Sequence, residues 1–180
     1  MRRPAEGRVL YVIVCGAGPA AEVGRLVELA QDRGWSVQII ATPSALAFID
    51  VPKLEAQTGR AVRSEYRGPG EPRSPRADAI IVAPATFNTI NKWANGISDT
   101  YALGILAEAP GLGILTVVLP FVNSALAGRT AFKNSVDALR REGVRVLLGP
   151  GEFEPHDPGA GGERISDFPW MRAMASVSQR

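Results

Sequence analysis

The sequence predicts a single α/β domain on a doubly wound parallel sheet, with helices on both faces. Three observations carry this prediction. Short apolar runs alternate with stretches of helical periodicity, glycines fall where the helical stretches end, and small or polar residues follow the apolar runs. At 180 residues, 46% of them hydrophobic, the chain is long enough to bury a core of its own. The domain is expected to span 1–180, with its core over about 8–150 and a flexible lid and C-terminal tail over 151–180.

Val9 to Cys15 is almost continuously apolar, as a strand covered on both faces requires. Val23, Leu26, Val27 and Ala30 then share one helical face, and Gly34 closes that helix. Val37 to Ala41 reads as a second buried strand. Ala45 to Ile49 and Pro52 to Gln57 read as helical, with Gly59 as the stop. Ala61 to Tyr66 reads as a short third strand and Ala79 to Ala83 as a fourth. Helices follow over Asn88 to Ala94 and from Asp99 to about Ala109. Ile114 to Leu119 is a fifth strand. Phe132, Val136 and Leu139 mark a helix that Gly143 stops, and Val144 to Leu148 is a sixth strand. Two segments break the alternation: the Pro/Gly/Arg stretch Arg67 to Arg76, and Gly149 to Arg164, rich in Gly, Pro and acids. Long loops of this kind inside a compact domain are usually lids or disordered.

Composition excludes several classes. The 20 basic and 18 acidic residues leave a net charge of only +2. No basic run interleaves with aromatics, so nucleic acid is not an expected partner. The segment Met1-Arg2-Arg3-Pro4-Ala5-Glu6-Gly7 lacks the apolar stretch of a signal peptide, and no window has the apolar length to span a bilayer. Cys15 is the only cysteine, so no internal disulfide exists. A cytoplasmic protein is expected, with no membrane partner and no metal site.

After the first strand comes Gly16-Ala17-Gly18-Pro19-Ala20-Ala21, which matches the G-x-G-x-x-G/A loop of Rossmann-like sheets. Such a loop presents backbone N–H groups to a phosphate. The second half of that fingerprint, an acid at the end of strand two, is missing. Thr42-Pro43-Ser44 stands there instead. Neutral hydroxyls suit a phosphate where a carboxylate would repel one. A phosphate or flavin loop and a plain tight turn of small residues therefore remain as readings, ahead of a dinucleotide site. Cys15, at the strand end, reads as a small core residue.

The most informative segment follows the fourth strand: Pro84-Ala85-Thr86-Phe87-Asn88-Thr89-Ile90-Asn91-Lys92-Trp93-Ala94-Asn95-Gly96-Ile97-Ser98-Asp99. Its hydroxyls and amides sit where a strand becomes a helix, the ligand edge of an open α/β sheet. This segment resembles the flavin-binding motif of the flavin-containing cysteine decarboxylases, a family that includes phosphopantothenoylcysteine decarboxylase and the lantibiotic peptide-cysteine decarboxylases. The resemblance runs from about Val9 to Leu148 and is strongest from Ala83 to Asp99. It implies the family's flavoprotein fold and bound FMN. The cofactor residues it implies are Gly16, Ala17, Gly18, Thr42, Ser44, Pro84, Ala85, Thr86, Asn88, Thr89, Asn95 and Asp99. Helix capping by Thr86 and Asn88, and a C-cap at Asn95-Gly96, are the simpler structural readings of those residues.

Pro120-Phe121-Val122-Asn123 resembles the family's substrate motif Pro-x-Met-Asn, with Val122 in place of Met. The resemblance makes Asn123 the contact for a substrate carboxylate; a turn residue is the alternative. The later Met-Trp pair of that motif falls in Ala125-Leu126-Ala127, which has neither. The family's catalytic His belongs in Tyr66 to Pro72, where none stands, and the Cys of its mobile clamp is absent from Phe153 to Arg164. That second segment holds the only histidine, His156, read either as a proton donor on a lid or as a solvated loop residue.

Three functions stay open: a flavin-dependent redox or decarboxylation-type enzyme acting on a small-molecule or peptide substrate with a carboxylate; a catalytically inactive flavin-binding or regulatory subunit; and a flavin prenyltransferase-like enzyme. The resemblance also implies a homo-oligomer built from trimers, with Trp93 either near the interface or in the core.

Overall fold

The structure, a computed structural model, describes residues 7–178. Residues 1–6, where a signal peptide was sought, and 179–180 lie outside the described residues. Five parallel strands form one sheet in the order β2-β1-β3-β4-β5. They are β1 (Val9–Val14), β2 (Ser36–Ala41), β3 (Ala79–Ala85), β4 (Leu115–Pro120) and β5 (Arg145–Val146). Helices α1 (Gly24–Gln31), α2 (Val51–Thr58) and α7 (Trp170–Ser178) cover one face; α3 (Phe87–Ala94), α4 (Tyr101–Glu108) and α6 (Thr130–Arg141) cover the other. A single turn, α5 (Ser124–Ala127), follows β4.

The period-2 rule explains why the strands are apolar throughout. Leu10, Val12 and Val14 of β1 point into the α1/α7 core, whereas Val9, Tyr11 and Ile13 point into the α3/α4/α6 core. Every residue of β1 and β3 is buried. The expected helix stops also form. Gly59 ends α2 in the left-handed conformation, φ 68°, and donates its N–H to the Glu55 carbonyl at 2.9 Å. Among the described residues no helix is long and apolar enough to cross a membrane.

Four expectations need correction. Ala61 to Tyr66 is not a strand: Arg63 alone pairs with Ile40 on the outer edge of β2. The Val62 N–H goes to the Glu55 carboxylate instead of a ladder, and the chain then leaves the edge so that Tyr66 packs on Tyr101. The sixth expected strand shrinks to the two residues of β5. The segment 151–180, expected as lid and tail, contains a packed helix, with Trp170, Ala173, Met174 and Val177 buried against α1, β3 and β4. Their i, i+3, i+4, i+7 spacing is a helical apolar face. Trp93 is a core residue, 6% exposed, and not a surface one.

Candidate flavin cleft

In a parallel sheet the C-terminal strand ends share one edge. Here β1 connects outward to β2, whereas β3 lies on its other side, so the connections diverge between β1 and β3. Ligands of doubly wound sheets bind at such a switch point, and flavodoxin-like sheets of this strand order obey the same rule. A cleft of about 320 Å³ opens at that place. Six expected residues line it: Gly16 after β1, Thr42 and Ser44 after β2, and Thr86, Asn88 and Thr89 after β3.

Each is positioned by local structure. Thr86 has extended backbone and caps α3, its hydroxyl accepting the Thr89 N–H at 3.3 Å. The Thr86 and Thr89 hydroxyls lie 3.1 Å apart. Cys15 Sγ donates to the Thr89 hydroxyl at 3.4 Å, beneath the cleft. Burial pushes the Cys15 thiol above its ordinary pKa, against the opposing pull of hydrogen bonds to Thr89 and Thr86. Gly16 is required by crowding: a Cβ there would stand 3.0 Å from the Ser44 Cβ and 3.1 Å from the Ser44 carbonyl.

Pro43, Lys92, Thr100 and Leu103 complete the lining and were missed as site residues. Thr100 caps α4 through the Leu103 N–H at 3.2 Å; a Thr placed just before the apolar run Tyr101 to Leu103 was the signal. Among the described residues Lys92 supplies the cation of the lining, with Asp99 at 2.6 Å. Among the described residues no carboxylate lines the cleft. The N-termini of α3 and α4, five hydroxyls, one amide and one ammonium therefore face a common volume. This donor set fits a phosphate and a polyol chain.

Six other expected residues do not line it. Gly18 faces Ile165 and Phe121. Ala17 opens the 3-10 turn Gly18–Glu22. Pro84, after a cis peptide, and Ala85 lie within β3, where their carbonyls accept the Cys15 and Phe121 N–H groups at 3.1 and 2.9 Å. Asn95 donates back to the Asn91 carbonyl at 2.8 Å, and Asp99 acts through Lys92.

The β4 end is built differently. Asn123 caps α5, its Oδ1 accepting the Leu126 N–H at 2.9 Å. It forms a parallel bridge with His156, and the His156 carbonyl accepts the Ser124 N–H at 2.8 Å. His156 is no solvated loop residue. Its ring is buried, 4.7 Å from the Phe121 ring, and its Nδ1 has no hydrogen-bond partner among the described residues. Phe121, Phe153, Phe168 and Trp170 continue the aromatic cluster, mostly edge to face. Burial first, then the Arg164 charge, lowers the His156 pKa, while Asp157 opposes them. The imidazole is thus held toward its neutral form.

The sequence matches the family model described as Flavoprotein over residues 2–167. The chain belongs to the Flavoprotein family. Among solved structures, this flavoprotein is 26% identical to the FMN-dependent cysteine decarboxylase SpaF, with a TM-score of 0.69 over 94% of this chain and 98% of that one. The cysteine decarboxylase TvaF from thioviridamide biosynthesis, 23% identical, shares the fold at a TM-score of 0.72 over 96% of this chain and 99% of its own. Curated relatives include the coenzyme A biosynthesis bifunctional protein CoaBC of Thermococcus kodakarensis, 26% identical over 152 residues, 81% of this chain and 37% of that protein. The same protein of Escherichia coli is 27% identical over 151 residues, 80% of this chain and 36% of its own length. The flavoprotein thus spans well under half the length of these relatives.

Proposed function

We propose that the flavoprotein binds FMN without a covalent link and uses it in a redox or decarboxylation-type step on a small-molecule or peptide substrate with a carboxylate. The observation that carries the cofactor is the cleft at the β1/β3 switch point, with its helix N-termini, its hydroxyls and, among the described residues, no carboxylate in its lining. Gly16, Thr42, Ser44, Thr86, Asn88 and Thr89 hold the phosphate and ribityl chain, with Lys92 adding charge. Bound FMN supplies two-electron redox chemistry. Asn123 has an amide NH₂ left over after capping α5 with its oxygen, and that donor suits a carboxylate. A protein partner of the same chain, in trimers, completes the wall of a cleft that is small for a whole flavin.

A second reading, a flavin-binding subunit without catalysis, rests on a specific observation. The segment Tyr66 to Pro72 carries no histidine, and Tyr66 is packed on Tyr101. A missing general base typically costs 10²–10⁴-fold, about 3–5 kcal/mol of barrier. The test has two stages. The absorbance spectrum of the purified protein and the mass of its released chromophore establish or refute FMN. Incubation with phosphopantothenoylcysteine and with a C-terminal cysteine peptide, followed by mass for loss of carbon dioxide, then separates enzyme from subunit. Turnover of about 1 per second marks an enzyme.

A further inference from the structure

Beneath the flavin cleft lies a buried thiol that the proposed function leaves unused. Cys15 is fully buried at the end of β1, and its N–H donates to the Pro84 carbonyl at 3.1 Å. Its Sγ lies 3.4 Å from the Thr89 hydroxyl, which in turn lies 3.1 Å from that of Thr86. Both threonines line the cleft, and the cysteine does not. Two separate features point to a ligand above this pair. Thr42 lines the same cleft at 7% exposure, and its hydroxyl caps nothing. A buried hydroxyl of that kind needs a partner. Gly16 leaves open a place where a Cβ would crowd Ser44.

A hydroxyl carries one proton and two lone pairs, so the pair holds two protons and four lone pairs. The Thr89 N–H takes one lone pair of Thr86 at 3.3 Å. The Cys15 thiol, which burial keeps protonated, takes one lone pair of Thr89. Sulfur is a weak acceptor, so the thiol is the donor there. The bond between the two hydroxyls uses one of their protons and a third lone pair, whichever way it points. One proton and one lone pair remain for the cleft. Without the thiol, one proton and two lone pairs would remain. The difference matters to a phosphate, whose ionised oxygens only accept, and far less to an alcohol, which can also donate.

We propose that Cys15 is a positioning residue: it turns the Thr86–Thr89 pair toward donation and so strengthens the cleft's preference for a phosphorylated flavin over an unphosphorylated one. This rests on the FMN reading of the cleft. The thiol acts through Thr89 and touches no ligand itself. Lys92 attracts any anion from the side, whereas the thiol decides which way the hydroxyls of the floor face.

Competition of FMN with riboflavin for the full-length protein, read by equilibrium dialysis, tests this. Cys15→Val, similar in size but without a donor, should lower the FMN-to-riboflavin affinity ratio about 5-fold. Cys15→Ser keeps a donor and should hold the ratio within about 2-fold of the parent. Cys15→Ala takes the place of the valine variant if that one does not fold, with the same expected loss. Equal loss of both flavins would mark a packing role and overturn the proposal, as would a serine variant that behaves like the valine one. The thiol can also be read directly, since it is the only one in the chain. Its infrared S–H stretching band should lie where hydrogen-bonded thiols absorb, and should move more on addition of FMN than of riboflavin. A band at the free-thiol position would overturn the proposal even if no variant folds. A parent protein that takes up neither flavin would overturn the cofactor reading itself. One that binds FMN with a ratio unmoved by Cys15→Val would overturn the role of the thiol alone.

Discussion

The two ends of the ligand edge are made by different means. At β1, β2 and β3 the site is assembled from residues that directly follow strands: Gly16, Thr42, Ser44 and Thr86 stand one to three positions beyond a strand end. At β4 the surroundings of Asn123 come from 30 to 50 residues downstream, through His156, Phe153, Phe168 and Trp170. The first end is polar, capped and aimed at a ligand. The second is an aromatic cluster closed over a neutral imidazole. A site set by strand termini is fixed by the sheet itself, whereas a site set by a returning segment stands only while that segment stays packed.

The sharpest way to break this contrast is Trp170→Ala. If the C-terminal segment is part of the core, removing this buried ring should cost about 3–5 kcal/mol in urea unfolding. A cost below about 1 kcal/mol would make the segment a detachable lid after all. Gly16→Leu acts on the other end. The new side chain collides with the Ser44 backbone, and flavin affinity should fall at least about 100-fold, close to 3 kcal/mol, with little loss of folded protein by circular dichroism. Asn123→Ala removes the α5 cap and should cost about 1 kcal/mol of stability. If flavin absorbance also dropped, the two ends would be one site rather than two.

The smallest effect is a pH dependence. The folded-state pKa of His156 lies below its ordinary value of 6.5, so the unfolded chain binds the proton first as pH falls. The stability associated with the neutral ring is present above about pH 6.5 and is lost as pH drops through the folded pKa. His156→Leu should flatten the urea midpoint between about pH 7.5 and pH 5, because a neutral apolar side chain replaces the titrating one. A profile identical to that of the parent protein would place the titration elsewhere.

The strand-end half of the site was legible because its cues are local. Extended backbone before α3, a hydroxyl at the cap and glycine at a crowded turn each leave a mark within a few residues. Lys92 and Thr100 were readable in principle, but their convergence on the cleft depends on how α3 and α4 pack. Asn95 and Asp99 sit in the same motif yet turn elsewhere, since one motif covers both sides of a helix. The solvated-loop reading of His156 failed because a Gly/Pro-rich stretch says nothing of the phenylalanines that close over it from β4 and from the approach to α7. The 61–66 segment failed for a related reason. Its backbone partner could have been β2 along the whole edge, and a single carboxylate, Glu55, took the Val62 N–H instead.

Cys15 has a practical consequence. It is the chain's only thiol, fully buried at the junction of β1 and β3, and burial holds it in the protonated form. Alkylating reagents attack the thiolate, so modification must wait for the sheet to open at that junction. The chain therefore carries its own clock for that event: one label per molecule, with a rate set by how often the floor beneath the threonines lifts. A ligand seated on that floor would slow the clock, so occupancy could be timed even by a ligand that has no colour.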